Sequence, residues 1–184
     1  MTKIAARMLR LMDRTVEEWY FPVIGREKGR VLRRLLAQHR PRRGVEIGSL
    51  FGYSAILIAA SLPRGGTLTC IEQNPFMAMI VEENARHAGL GARVTVVTGD
   101  ALRVLPRFRG RVDFVFIDAE KDEYLRYLRA MEPRLTTGAL VVADNTGISR
   151  REVRPYLAHV RGAAYESHEH DFGSDCMEVS VYRG

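Results

Sequence analysis

Short apolar runs rich in β-branched residues recur along the chain, at positions 44–47, 67–71, 93–97, 112–117 and 140–142. Between them the apolar residues change to helical spacing. Ile4, Met8, Leu11, Met12, Val16 and Trp19 mark an amphipathic helix over 2–19 that needs a partner surface, and Val31, Leu32, Leu35 and Leu36 mark a second over 26–38 that stops before Pro41. Further helices are predicted over 54–61, ended by Pro63 and Gly65-Gly66, and over 75–87, opened by Asn74-Pro75 and closed by Gly89 and Gly91. Thr98-Gly99-Asp100 leads into a short helix to 105, and two more helices span 123–131 and 151–160. The segments 165–167 and 177–182 form a terminal antiparallel pair. Strand and helix alternating at these lengths predict a doubly wound α/β sheet, parallel for most of its width.

The two most apolar runs each end on an acidic residue. Val112 to Ile117 leads into Asp118, and Leu140 to Val142 leads through Ala143 into Asp144 and Asn145. Both ends belong at the carboxyl edge of buried parallel strands, where open α/β sheets place their ligands. Neighbouring strands lie about 5 Å apart, so Asp118, Asp144 and Asn145 converge if these two are paired. Three hard oxygen donors suit Mg²⁺ or a similar divalent ion. Lys121 follows Asp118 by one helical turn, in a chain whose other lysines are Lys3 and Lys28 and whose remaining cations are arginines. An amine, unlike a guanidinium, can give up its proton beside a metal and act as a base; the bland alternative is an exposed lysine at a helix start.

The turn after the first strand carries Gly48 and Gly52 but lacks the glycine spacing of a dinucleotide site, and Glu72 closes the second strand. A carboxylate there can take both ribose hydroxyls of an adenosine, which NAD and S-adenosylmethionine share. Glu46, inside the first strand, repels phosphates but tolerates a sulfonium with its amino-acid moiety. That favours S-adenosylmethionine.

Composition narrows the frame. With 184 residues, 46% hydrophobic and 27% charged, the chain suits one domain spanning 1–184, a helical arm over 1–21 on a core of 22–184. No stretch approaches the ~20 apolar residues of a membrane span, and the N-terminus lacks an apolar signal core, so a cytoplasmic protein is expected. Cys70 and Cys176 lie in separate strand-like runs and read as buried thiols. The net charge is +6, and Arg26, Lys28, Arg30, Arg33, Arg34, Arg40, Arg42 and Arg43 crowd one segment. That segment is either a solvated helix face or a grip for phosphates or an acidic partner. His168 and His170, flanking Glu169, read as loop or edge histidines before they read as a metal pair, and Met77 and Met79 read as core filler. Tyr53 and Tyr124 belong either beside the cofactor or under the sheet.

In order along the chain, residues 45–54, Cys70-Ile71-Glu72, Gly99-Asp100-Ala101, 116–121 with Tyr124, Asp144-Asn145 and 175–179 resemble the class I, cation-dependent catechol and caffeoyl-CoA type O-methyltransferases. The likeness runs from about Pro22 to the end. It implies a Rossmann-like, seven-stranded sheet with a reversed last strand, S-adenosylmethionine over the first two strands, and Mg²⁺ held by Asp118, Asp144 and Asn145. Carried over by position, Gly48, Ser54, Glu72 and Asp100 contact the cofactor, with Glu46 and Asp118 beside it, and Lys121 is the general base. Some members place an acceptor-side carboxylate at the position of Glu169, and Leu50 stands where others have an aromatic residue. The resemblance implies methyl transfer to a small hydroxylated, vicinal-oxygen compound. The alternatives are a wobble hydroxyuridine of tRNA, which some bacterial members methylate and which the basic segment suits, and a non-catalytic or NAD-type module. With no long insertion to form a lid, the N-terminal helix or a second subunit of a homodimer must cover the site.

Overall fold

The fold is built outward from β4 (Val112–Ile117), whose Phe114, Val115, Phe116 and Ile117 are all fully buried because helices cover both faces of the sheet. In this computed structural model, which describes residues 1–19 and 21–184, seven strands form one sheet. The other strands are β1 (Arg43–Ile47), β2 (Thr67–Glu72), β3 (Val94–Thr98), β5 (Leu135–Ala143), β6 (Tyr165–Asp171) and β7 (Cys176–Tyr182), and the spatial order is β3-β2-β1-β4-β5-β7-β6. Strands β1 to β5 run parallel, and β7 is antiparallel to both β5 and β6. The order reverses direction at β1, and β4 lies beside it, so the carboxyl ends of β1 and β4 flank the crevice where such sheets bind ligands.

Helices α1 (Lys3–Trp19), α2 (Gly25–His39), α3 (Tyr53–Ser61) and α4 (Pro75–His87) lie on one side, and α5 (Ala101–Val104), α6 (Tyr124–Met131) and α7 (Arg154–Val160) on the other. Alternation along each strand divides the core accordingly: Phe114, Phe116, Leu140 and Val142 join the first layer, and Val115, Ile117, Val141 and Ala143 the second. Asn74 caps α4 by accepting from the N–H groups of Phe76 and Met77, with Pro75 at the first turn as its sequence predicts.

Three element boundaries shift. Strand β5 begins at Leu135, well before 140, because Thr136, Thr137 and Gly138 extend it past the core, where β4 and β5 slip register between Val112 and Phe114. Strand β6 runs to Asp171; as an edge strand it is held by main-chain pairing to β7 while most of its side chains face solvent, so hydrophobicity does not mark its length. The last helix starts at Arg154, after a turn in which the Val153 N–H bonds the Ser149 carbonyl. Helix α1 docks by a stripe that only partly matches the expected one: Met12 is buried and Met8 packs against the core as expected, but Ala5 and Leu9 join them while Ile4, Leu11 and Trp19 are exposed. The small Ala5 lets the helix sit close on its neighbours, which turns the bulkier positions outward. No described helix is long and apolar enough to cross a membrane.

Candidate functional site

The site gathers where β1, β2, β4 and β5 end. Gly48 follows β1 with φ +82, and a Cβ there would lie 2.2 Å from the Asp118 carbonyl oxygen, so only glycine lets the first turn pass so close to the end of β4. Its N–H bonds the Ile71 carbonyl at 3.0 Å, and the Asp118 N–H bonds Ile47 in the same way, which ties the three strand ends together.

A cavity of about 410 Å³ opens there, lined among others by Gly48, Ser54, Glu72, Asp100, Asp118, Lys121 and Asn145. These residues, all singled out from sequence, therefore line one cavity. Glu72 is pinned: its carboxylate accepts from the N–H groups of Ser49 at 3.1 Å, Leu50 at 3.0 Å and Asn74 at 2.9 Å. Leu50 adopts a left-handed φ of 49 to present its N–H. Asp100 caps α5 through the Leu102 N–H at 2.8 Å while its residue borders the cavity. Tyr53 also lines the cavity, and its hydroxyl donates to Asp13 on α1 at 2.6 Å, so the N-terminal helix is fastened to the rim.

Glu46 and Asp144 do not line that cavity. The expectation that Glu46 lies beside the cofactor meets a carboxyl fully buried on the α3 side of β1, because period-two alternation turns it away from Val45 and Ile47. Its Oε2 accepts from the Ser49 hydroxyl at 2.7 Å, and its Oε1 has no hydrogen-bond partner among the described residues. Burial pushes this carboxyl up to about 7, against the pull of Ser54, Ser49 and Cys70.

Lys121, in the single 3-10 turn before α6, donates to Asp118 Oδ1 at 2.8 Å, to the Tyr124 hydroxyl at 2.9 Å and to Asn145 Oδ1 at 2.9 Å. Its three N–H directions are matched by three acceptors. The fully buried Tyr124 in turn donates to the Asp144 main-chain carbonyl at 3.0 Å. Asn145 sits at φ +56, a left-handed conformation that asparagine adopts at lower cost than other side chains carrying a Cβ, and this turns its amide back over the strand ends. The Asn145 N–H bonds Asp144 Oδ1 at 2.8 Å. Asp144 is pushed up to about 6, by burial first and by the nearby Asp118 charge second.

Two residues not assigned to the site from sequence complete the cluster. Lys28 reaches in from α2 to Asp144 Oδ1 and Asp175 Oδ2, each at 2.5 Å. Asp175, just before β7, also accepts from Asn145 Nδ2 at 2.7 Å and from the Gly147 and Ile148 N–H groups. Burial works to raise the Asp175 carboxyl, but the bonds from Lys28, Ile148 and Asn145 outweigh it and bring it down to about 2. The argument that singled out Lys121, a lysine among arginines, applies equally to Lys28. The carboxylate beside Asn145 is thus Asp175. Glu169 is paired with Arg150 at 2.8 Å and Arg161 at 2.9 Å; Arg161 also neutralises the buried Glu178 that lies opposite Glu169 across the strands. His168 is exposed near Glu166, and no cluster of three His, Cys, Asp or Glu arranged for a metal occurs among the described residues. Of the basic segment, Arg30, Arg33 and Arg34 line a shallow groove between α2 and the end of α3. Cys70 and Cys176 are buried free thiols.

Comparison with known proteins agrees in family and fold. Residues 4–153 match the model of a family described as O-methyltransferase. The catechol O-methyltransferase of Sus scrofa is 33% identical over 175 residues, covering 88% of this chain and 93% of that one. The catechol O-methyltransferase of Niastella koreensis is 35% identical over 122 residues, 64% of this chain and 55% of its own. An O-methyltransferase from Bacillus cereus, solved in complex with SAH, superposes with a TM-score of 0.84 at 24% identity over 96% of this chain and 91% of its own, a likeness of fold.

Proposed function

The chain belongs to the O-methyltransferase family, and from that premise we propose that it moves the methyl group of S-adenosylmethionine to one hydroxyl of a small catechol-like acceptor, assisted by a divalent cation such as Mg²⁺. The observation that carries this reading is the meeting of Asp118, Lys121, Asp144 and Asn145 at adjacent strand ends beside the cavity. Residues 1–184 act as one methyltransferase domain.

The donor set fits a hard cation. Asp118 and Asp144 repel each other enough to help raise Asp144, and a divalent ion would relieve that repulsion. Asp118, Asp144 and Asn145 would hold the ion, which when bound supplies Lewis acidity toward the acceptor oxygens. The rest of the work falls to the chain. The turn at Gly48 and the pinned Glu72 seat the cofactor, with Ser54 and Asp100 lining the same cavity. Lys121, once it has released one proton to solvent, takes the proton of the acceptor hydroxyl as a neutral amine, and Tyr124 keeps that nitrogen aimed at the strand ends. The acceptor oxygen then forms its bond to the methyl carbon as the carbon–sulfur bond breaks, leaving S-adenosylhomocysteine. Holding the reactants in line is the main contribution, since effective molarities can reach ~10⁵ M or more.

Purified protein incubated with methyl-labelled S-adenosylmethionine and two separate pools, small catechols and unmodified tRNA, tests this. Label should enter the catechol pool, vanish with EDTA and return with Mg²⁺. Label in tRNA alone would refute the acceptor class, and equal transfer with and without EDTA would refute the cation.

A further inference from the structure

The reaction just described makes no use of Lys28, although this residue is among the most tightly held in the site. Its side chain is 12% exposed and bridges two carboxylates that lie 116 and 147 residues away, Asp144 at the end of β5 and Asp175 before β7. The ring of Phe172 lies 6.0 Å beneath the ammonium. An ammonium is drawn this far from water only where anions hold it. Burial opposes its charge, and the two aspartates more than offset that.

The position of the bond matters more than its strength. Lys28 occupies Asp144 Oδ1, on one of the carboxylates assigned to the cation, whereas Lys121 occupies Asp118 and Asn145, the remaining ligands. The charges at the strand ends come from Asp118, Asp144 and Asp175 against Lys28 and Lys121, so the cluster carries one more negative than positive charge. Each lysine thus stands in part where a divalent ion would act. They differ in anchorage: Lys121 is local to its partners, three residues from Asp118, whereas Lys28 enters from the helical layer and pulls β5, the segment before β7 and α2 onto one point.

We infer that Lys28 is a built-in counter-ion of the cation site: it keeps Asp144 and Asp175 together when no divalent ion is present, and an arriving ion must compete with it for Asp144. This rests on the reading of Asp118, Asp144 and Asn145 as cation ligands. Lys28 is accordingly a positioning residue that lowers the affinity of the site for metal in return for order without it.

Mn²⁺ titrated into the purified protein, without cofactor or acceptor, provides the test by calorimetry and by the electron paramagnetic resonance of free Mn²⁺. Lys28→Met removes the charge and keeps the stem. Its metal-free melting temperature should fall, and its Kd for Mn²⁺ should drop at least tenfold below wild type, a change that mere loss of packing would not produce. Lys28→Arg, which keeps the charge, should bind Mn²⁺ within about threefold of wild type. Lys28→Gln answers the same question if the Met variant does not fold. Wild-type binding with equal or weaker binding in the neutral variants would overturn the counter-ion role alone. Absence of Mn²⁺ binding in wild type and neutral variants alike would instead overturn the cation site, and the inference with it.

Discussion

Replacing Tyr124 with phenylalanine isolates one oxygen at the centre of the site. The ring is fully buried and stays so in the variant, so no cavity opens. What disappears is a hydroxyl that accepts from Lys121 Nζ at 2.9 Å and donates to the Asp144 carbonyl at 3.0 Å. Burial, with the charges of Asp118 and Asp144, pushes this phenol well above its ordinary range, so it remains a neutral donor across all working pH. A hydrogen bond to a charged group contributes about 1.5–3 kcal/mol, and an orphaned buried carbonyl costs about 1–3 kcal/mol. Because the apolar ring recovers part of this, the expected net loss is about 2 kcal/mol. For a chain of this size that lowers Tm by roughly 4–8 °C. Urea unfolding should show a lower midpoint with an unchanged slope. A double-mutant cycle with Lys121→Met should return a coupling of about 1 kcal/mol, since each single variant removes the same bond. Turnover should fall as well, through loss of the Lys121 aim. A stability change within about 0.5 kcal/mol together with zero coupling would refute the idea that this hydroxyl ties Lys121 to the end of β5.

Gly48→Ala should cut turnover by about 10²-fold or more and destabilise the chain, because its Cβ would meet the Asp118 carbonyl oxygen at 2.2 Å and force the end of β4 to move; steady-state kinetics near wild type would contradict this. Glu46 gives a pH signature. Its folded value of about 7 lies above the ordinary 4.5, so the folded state holds the proton longer, and stability falls as pH rises from about 4.5 to 7 and then levels off. Glu46→Gln removes that decline and should gain about 3 kcal/mol on wild type between pH 5 and pH 8; an equal stability difference at both pH values would count against it.

The carboxyl-edge residues were legible because hydrophobic runs that end in a polar residue mark where a buried strand emerges. Asp118, Lys121, Asp144 and Asn145 needed only that rule and the pairing of β4 with β5, which the register supplies through Ile117 and Ala143. Glu46 shows the limit of the same reasoning. Its strand was located correctly, but which face it took followed from the alternation that sets Val45 and Ile47 on the α5–α7 layer. Helix α1 was read as amphipathic, yet whether position 4 or position 5 met the core depended on how closely α1 and its neighbours approach.

The sequence by itself determined the order of strands and helices, the parallel sheet and the four residues at the strand ends, because each is written in local hydrophobic periodicity and local turn chemistry. Only the tertiary structure decided that Lys28 and Asp175 join them, that Glu169 pairs with Arg150 and Arg161, and that Glu72 is held by the turn beside it. Those are electrostatic and hydrogen-bonded contacts between distant segments, and no short-range pattern encodes them: a lone lysine or aspartate gains its partner only when the packed layers bring the two ends within reach.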